Sequence, residues 1–267
     1  MNTKKDNFKA FSIRESFNLI SDKKIEITYY DKLVSTHTIA KELVESNTSE
    51  IFNKPPKIII ANEQENGYGR FGKYFYSPIG KGIYMTIILP NFAISANFVT
   101  MYAATAICNA IENTTGKSPS VKWVNDIFIK NKKVCGILSN NIVSKEGNVI
   151  LLGIGINFYE NIKNIPKELH DIITYIFTDE NPITTRSDLT AQIINNILSL
   201  TNCSNKSIVQ QYKNLLFILG KKINVYKNNN IIYQAKAIDL DENGYLIVED
   251  ENGKKIKLVS GEVSIAL

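Results

Sequence analysis

Apolar positions along this chain recur with a period near two in some segments and near 3.6 in others, and the two periods predict strands and helices respectively. Lys57 to Ala61 and Gly82 to Leu89 are short runs apolar on both faces, which predicts strands in a sheet covered on at least one side. Ile25 to Tyr30 alternates well enough for a third. Val121 to Trp123, Ile127 to Lys130, Lys133 to Val143 and Asn148 to Ile156 form a β-rich run, turned at Asn125-Asp126, Asn131-Lys132 and Glu146-Gly147-Asn148. Helical spacing appears over Asp6 to Ile20, over Thr38 to Val44 with Ser35 or Thr36 as cap, and over Ile94 to Glu112, Ser187 to Leu200 and Ser204 to Leu219. At Gly220 the pattern breaks into short strands: Lys222 to Tyr226, Ile231 to Asp239, Tyr245 to Glu249, Lys255 to Val259 and Glu262 to Ile265. They are separated by turns at Asn228-Asn229-Asn230, Glu242-Asn243-Gly244 and Glu251-Asn252-Gly253. The expected fold class is α+β, a mixed sheet with flanking helices over residues 1–219, followed by a small five-stranded β-barrel over 220–267.

Composition narrows the function. The 267 residues are 44% hydrophobic and 21% charged, values of a soluble globular chain, and no apolar run is long enough to span a membrane. The basic N-terminus leads into no apolar signal core, so the expected location is the cytoplasm. Three widely spaced cysteines form no Cys-x-x-Cys pair, and two histidines are too few for a histidine metal site; no metal site is expected. Cys135 reads as a buried inert thiol. The net charge of +5 is spread among asparagines and reads as a solvated basic surface, open to a nucleotide or an acidic protein.

Four segments carry chemistry. In the first, Lys122-Trp123-Val124-Asn125-Asp126 ends a strand and Lys133 opens a later one, just before Gly136. Buried without partners, such groups would each cost a few kcal/mol, so a ligand, and for Lys133 an anionic one, is the better explanation. Asp126 either orients Lys133, acts as a base or serves the turn. The second segment, Gln64 to Pro78, is longer than a hairpin needs and spaces Gly67, Gly69 and Gly72 around Arg70. Glycines allow a backbone to approach a ligand, Arg70 offers a planar fork to phosphate or carboxylate, and Phe75 or Tyr76 offers a stacking face. No helix follows these glycines, which argues against a Rossmann phosphate site. In the third, Gly153-Ile154-Gly155-Ile156-Asn157, alternate glycines inside a strand mean that something presses on that face, either close strand packing or a ligand. Asn157 offers an amide to a base edge. The fourth, Ser35-Thr36 after Asp31, is a helix cap or a ligand contact.

The ordered set Ser-Thr, Gln-x-x-Gly-x-Gly-Arg-x-Gly, Lys-Trp-x-Asn-Asp with its trailing Lys-x-x-Gly-Ile-Leu, and Gly-x-Gly-Ile-Asn resembles that of the biotin–protein ligases. Gly261-Glu262-Val263-Ser264 fits the end of that family's C-terminal domain. The resemblance implies a class II synthetase-like core with an SH3-like C-terminal domain. It also implies biotin and ATP as substrates with Mg²⁺, biotinyl-5′-AMP as intermediate, and transfer to a lysine of a biotin carboxyl carrier domain. By motif position, Ser35, Thr36, His37, Gln64, Tyr68, Gly69, Gly136, Gly153 and Gly155 would surround biotin. Arg70 and Lys133 would serve both substrates, Phe75 and Asn157 the adenine, and Lys133, Arg70 and Asp126 the reaction.

Three residues depart from the family pattern: His37 in place of Asn, Tyr68 in place of a first loop Arg, and Ala266 in place of Arg. Only about thirty residues precede the Asp31 motif, too few for the DNA-binding module many relatives carry. No DNA or membrane partner is expected, and a homodimer is left open. The alternatives are a lipoate or octanoate ligase or transferase of the same fold, or a catalytically weak sensor of biotin or nucleotide.

Overall fold

The computed structural model describes residues 6–46, 51–52, 54–91, 96–145, 147–161, 165–178, 182–200, 203–227, 230–259 and 261–266. The turns expected at Glu146 and at Asn228-Asn229 lie partly outside them, as does the helix start expected at Ile94.

The chain begins with α1 (Ala10–Asn18), β1 (Glu26–Tyr30), α2 (Thr36–Ser46) and β2 (Lys57–Ala61). β1 and β2 pair in parallel, with α2 as the crossover that returns the chain between them. Next come β3 (Gly82–Pro90), α3 (Ala96–Thr115), β4 (Ser120–Lys122), β5 (Asp126–Ile129), β6 (Lys132–Ser144) and β7 (Gly147–Asn157). The seven strands form one mixed sheet in the order β1-β2-β3-β7-β6-β5-β4, antiparallel at every pairing after the first.

The runs that are apolar on both faces bury both. From β2, β3 and β7, residues such as Ile58, Ile60, Ile87, Leu152 and Ile156 join the main core under α1, α3 and α4 (Arg186–Leu200). Their alternates Ile59, Ile88, Val149 and Leu151 pack with Ala40 and Val44 of α2 on the opposite face. Continuing that alternation, Thr86, Gly153 and Gly155 fall on the α2 face. There the apolar filling stops and a cavity begins.

The last helix of this part, α5 (Asn205–Leu215), is shorter than the expected Ser204 to Leu219. Ser204 caps it, accepting from the Ser207 N–H at 3.3 Å. At Leu216 the backbone turns extended, and Leu216 bridges in parallel to Val121 of β4. A run apolar at every position satisfies either period, and here the edge of β4 takes it.

Five short strands complete the chain: β8 (Lys222–Lys227), β9 (Asn230–Leu240), β10 (Leu246–Glu249), β11 (Lys255–Leu258) and β12 (Glu262–Ile265). They form one antiparallel sheet in the order β11-β10-β9-β8-β12, whose two outer strands do not pair with each other, so the expected barrel is open on that side. Two of its turns repeat one device: Asp241 accepts from the N–H groups of Asn243 and Tyr245, and Asp250 from those of Asn252 and Lys254. The first turn also docks the small sheet. Trp123 Nε1 donates to the Gly244 carbonyl at 3.2 Å, and any Cβ on Gly244 would collide with the Met101 side chain.

A buried guanidinium ties the N-terminal segment to the sheet. Arg186 donates from Nε to Asp6 at 2.6 Å, and from Nη1 to Asn62 Oδ1 at 3.0 Å and the Gly82 carbonyl at 3.3 Å, with Phe8 stacked against it. Arg186→Ala removes the guanidinium from the Asp6 carboxylate, which keeps the backbone N–H of residue 186 at 3.2 Å but loses its charged partner, and a loss of about 3–5 kcal/mol is expected in urea unfolding. A loss below about 1 kcal/mol, the range of an exposed pair, would contradict this role.

Candidate active site

Between α2, the Gln64–Pro78 loop, the α2 face of β3, β7 and β6, and the tip of the C-terminal sheet lies a cavity of about 120 Å³. A single water needs roughly a tenth of that volume, so the space suits an organic ligand or several waters. The residues expected from the sequence to hold biotin, to hold ATP or to carry the reaction all line it, except Asn157. Asn157 ends β7 opposite Gly82, on the same strand face as Gly153 and Gly155, and is nearly buried; it lies beyond the residues that line the cavity. Of the two candidate stacking rings, Phe75 lines the cavity and Tyr76 does not; the Tyr76 hydroxyl accepts from Asn161 Nδ2 at 3.1 Å.

One part of the wall is a neutral hydrogen-bond relay. Gln64 Oε1 accepts from Thr36 N–H at 2.9 Å and from Thr36 Oγ1 at 3.1 Å, while Thr86 Oγ1 donates to Thr36 Oγ1 at 3.0 Å. Gln64 Nε2 donates to Ser77 Oγ at 2.9 Å, and Ser77 Oγ donates to the Phe75 carbonyl at 3.0 Å. Both ends of the Gln64 amide are thereby fixed. Ser35 caps α2, accepting from Thr38 N–H at 3.4 Å, so the Ser35-Thr36 segment is a cap and a cavity wall at once.

A second part is cationic. Lys133 Nζ lies 2.7 Å from Asp126 Oδ1, and Lys122 Nζ lies 3.6 Å from Asp126 Oδ2. Lys122 and Asp126 are cross-strand partners on β4 and β5, and Lys133, near the start of β6, lies opposite Phe128 of β5. Arg70 donates from Nη1 to Asn125 Oδ1 and from Nη2 to the Gly261 carbonyl, each at 3.1 Å. Asn125 is held in turn by donating from Nδ2 to the Ile137 carbonyl at 3.0 Å. With Lys73, four cations line the cavity against one carboxylate. Such a site attracts anions.

The alternate glycines are explained by this chain's own side chains. Gly136 and Gly155 are cross-strand partners, and the Phe75 ring lies on both: a Cβ at Gly155 would meet it at 2.6 Å and one at Gly136 at 3.4 Å. The Gly153 α-carbon faces His37, where a Cβ would come within 2.9 Å of Nδ1. Close packing and cavity wall are therefore both true of this strand. Tyr68 and Gly69 line the cavity from the loop, which folds back on itself as Gly69 N–H donates to the Lys73 carbonyl and Phe75 N–H to the Gly67 carbonyl, each at 2.8 Å.

Sequence reasoning did not single out Thr86, Ser77, Asn140 or the Gly261 carbonyl. Thr86 carried a signal, a small polar side chain in an otherwise apolar strand. The other three carried none. Among the described residues there is no cluster of three His, Cys, Asp or Glu side chains able to hold a metal. The cavity's single carboxylate is engaged by two lysines, so these residues do not form a protein site for Mg²⁺. Cys108 and Cys135 are buried, and burial pushes both thiols well above their ordinary range, which leaves them inert. No described helix is long and apolar enough to cross a membrane.

Residues 31–157 match the Biotin/lipoate A/B protein ligase family, and residues 218–265 match the Biotin protein ligase C terminal domain. Together the two matches span well over half of the chain. The chain belongs to the biotin–protein ligase family. The bifunctional ligase/repressor BirA of Bacillus subtilis is 28% identical to it over 251 residues, 90% of this chain and 74% of that protein. The biotin–[acetyl-CoA-carboxylase] ligase of Paracoccus denitrificans is 31% identical over 103 residues, 37% of this chain and 43% of that protein. In fold, the chain is similar to the biotin protein ligase of Aquifex aeolicus in complex with biotin and ATP. The TM-score is 0.70 at 24% identity, covering 90% of this chain and 98% of that one. A mixed sheet with flanking helices followed by a separate five-stranded sheet is thus the architecture of this family.

His37 is buried, with Nε2 2.8 Å from Asn140 Oδ1. Burial holds its pKa below the ordinary 6.5, by more than the Asn140 hydrogen bond restores, and Lys41 lowers it further. As pH falls through about 6.5 the unfolded chain takes up this proton before the folded one does, so the folded state loses stability on acidification. Urea midpoints should therefore fall more steeply below that pH in the parent than in His37→Asn. Parallel pH profiles would contradict this.

Proposed function

We propose that this chain, a biotin–protein ligase by family, activates biotin with ATP to biotinyl-5′-AMP and then transfers biotin to a lysine of a biotin carboxyl carrier domain. The observation that carries the reading is the pairing within one cavity of the neutral Gln64–Thr36–Thr86 relay with the Lys133–Asp126–Lys122 cluster. Thr86 and Gly155, which mark the two parts, lie on adjacent antiparallel strands, with Thr86 opposite Gly153. Gly153 and Gly155 are two residues apart, about 7 Å along β7. A ligand with a neutral polar head and an anionic end fits that spacing.

The relay and Ser35 hold the head, and Lys133 meets the carboxylate. Carboxylate and α-phosphate repel, by about 4 kcal/mol per charge pair at ~4 Å and an effective dielectric near 20. Lys133, Lys122 and Arg70 offset that repulsion and set the two groups in line. A carboxylate oxygen then attacks the α-phosphorus, the bond to the β-phosphate breaks, and pyrophosphate leaves. Both Asp126 oxygens face ammonium groups, so Asp126 positions Lys133. Phe75, on the Gly136–Gly155 pair beside Lys133, covers the nucleotide. Mg²⁺ arrives with ATP, held by its phosphates. In the second step the acceptor amine attacks the acyl carbon, AMP departs with the bonding electrons of the acyl–oxygen bond, and the amine proton passes to solvent. No covalent nucleophile of the enzyme is required.

The test is transfer of labelled biotin to a carrier domain in the presence of MgATP. Labelling of one carrier lysine is expected, and transfer of lipoate or octanoate in place of biotin would overturn the reading. Arg70 ties the loop to Asn125 and to the C-terminal sheet, so Arg70→Gly should still form adenylate but release it into solution. Unchanged retention of biotinyl-AMP by that variant would contradict the loop's role.

A further inference from the structure

The two cavity residues that depart from the family pattern, His37 and Tyr68, touch each other. Their rings meet edge to face, centroids 6.0 Å apart and planes at 83°, a favourable aromatic geometry. His37 is rigidly placed for this contact. Its Nε2 is bound to Asn140 on β6, and its Nδ1, buried and without a hydrogen-bond partner, faces the bare α-carbon of Gly153 on β7. Any larger residue at 153 would collide with the ring. Tyr68 is half-buried on the loop, and it bridges Tyr74 across the turn of that loop. Any movement of this hairpin-like tip therefore carries the Tyr68 ring with it.

The start of α2 thus grips the loop twice, at its stem through Thr36 and Gln64 and nearer its tip through His37 and Tyr68. On the other side Arg70 grips Asn125 and Gly261. His37 stands by Gly153, two residues along β7 from the Gly155 on which Phe75 rests. The aromatic pair closes the relay end of the cavity, away from Lys133.

We propose that His37 and Tyr68 form a latch that holds the glycine-rich loop over the relay end of the cavity and limits how fast the bound acid leaves. Neither residue touches the reacting atoms; both are positioning residues. The proposal rests on the ligase reading, which supplies the acid. It assigns the two departures a shared task and requires that they act as a unit.

Trp123, the only tryptophan in the chain, lines the cavity, so its fluorescence is the chosen readout of occupancy. Biotin dissociation is measured by stopped flow in the parent, in Tyr68→Leu, in His37→Asn and in the double variant, alongside steady-state kinetics. Each single variant should release biotin about three- to tenfold faster and raise KM for biotin by a similar factor. The double variant should be no worse than the poorer single one. KM for ATP should stay within about twofold, and Tyr68→Phe, which keeps the ring, should retain slow release. Independent, multiplying effects in the double variant would overturn the latch, as would unchanged release in both single variants. If the parent shows no biotin response and no biotin-dependent pyrophosphate exchange, the ligase reading fails and the latch falls with it.

Discussion

Lys133 and Lys122 share the carboxylate of Asp126, at 2.7 and 3.6 Å, on the cavity side of the β4–β5–β6 end of the sheet. One anion between two ammonium groups leaves positive charge over, and Arg70 and Lys73 add to it. Asp126 fixes the two lysines in place in the cavity wall. The consequence is a standing attraction for anions at one place. The cross-strand register that sets Lys122 opposite Asp126 therefore fixes where that attraction acts. β4 and β5 bury alternate residues, Val121, Ile127 and Ile129, so the register cannot slip by one without exposing apolar side chains.

Around that charge the chain builds a container from parts far apart in sequence. Cross-strand glycines on β6 and β7 leave room for Phe75, and Gly153 leaves room for His37. The C-terminal sheet contributes the Gly261 carbonyl to Arg70 and the Gly244 carbonyl to Trp123. The small sheet thus bears on the cavity wall and on its loop. In the proposed reaction, closing the site in this way keeps water from the acyl adenylate.

Much of this was legible in the sequence. Lys133, Arg70, Gln64 and the glycines announce themselves because charge and missing side chains are conspicuous in apolar strands. The strands of the sheet follow from runs too apolar to leave any face in water. Asn157 shares the face of Gly153 and Gly155 but sits at the far end of β7, beyond the residues that line the cavity. Asn140 and Ser77 were invisible, since a polar residue in a long hairpin or loop is the ordinary case. Leu216 was ambiguous, because an unbroken apolar run carries no period. The contact between His37 and Tyr68 lay beyond reach, as nothing local relates a helix start to a loop so much later in the chain.

The most direct measurement is exchange of labelled pyrophosphate into ATP, with and without biotin, in the parent and in Lys133→Ala. It isolates the step proposed for the cationic cluster. Exchange that requires biotin in the parent and is lost in the variant is the expected result. Exchange that proceeds undiminished in Lys133→Ala would show that the charge held by Asp126 does not drive the chemistry.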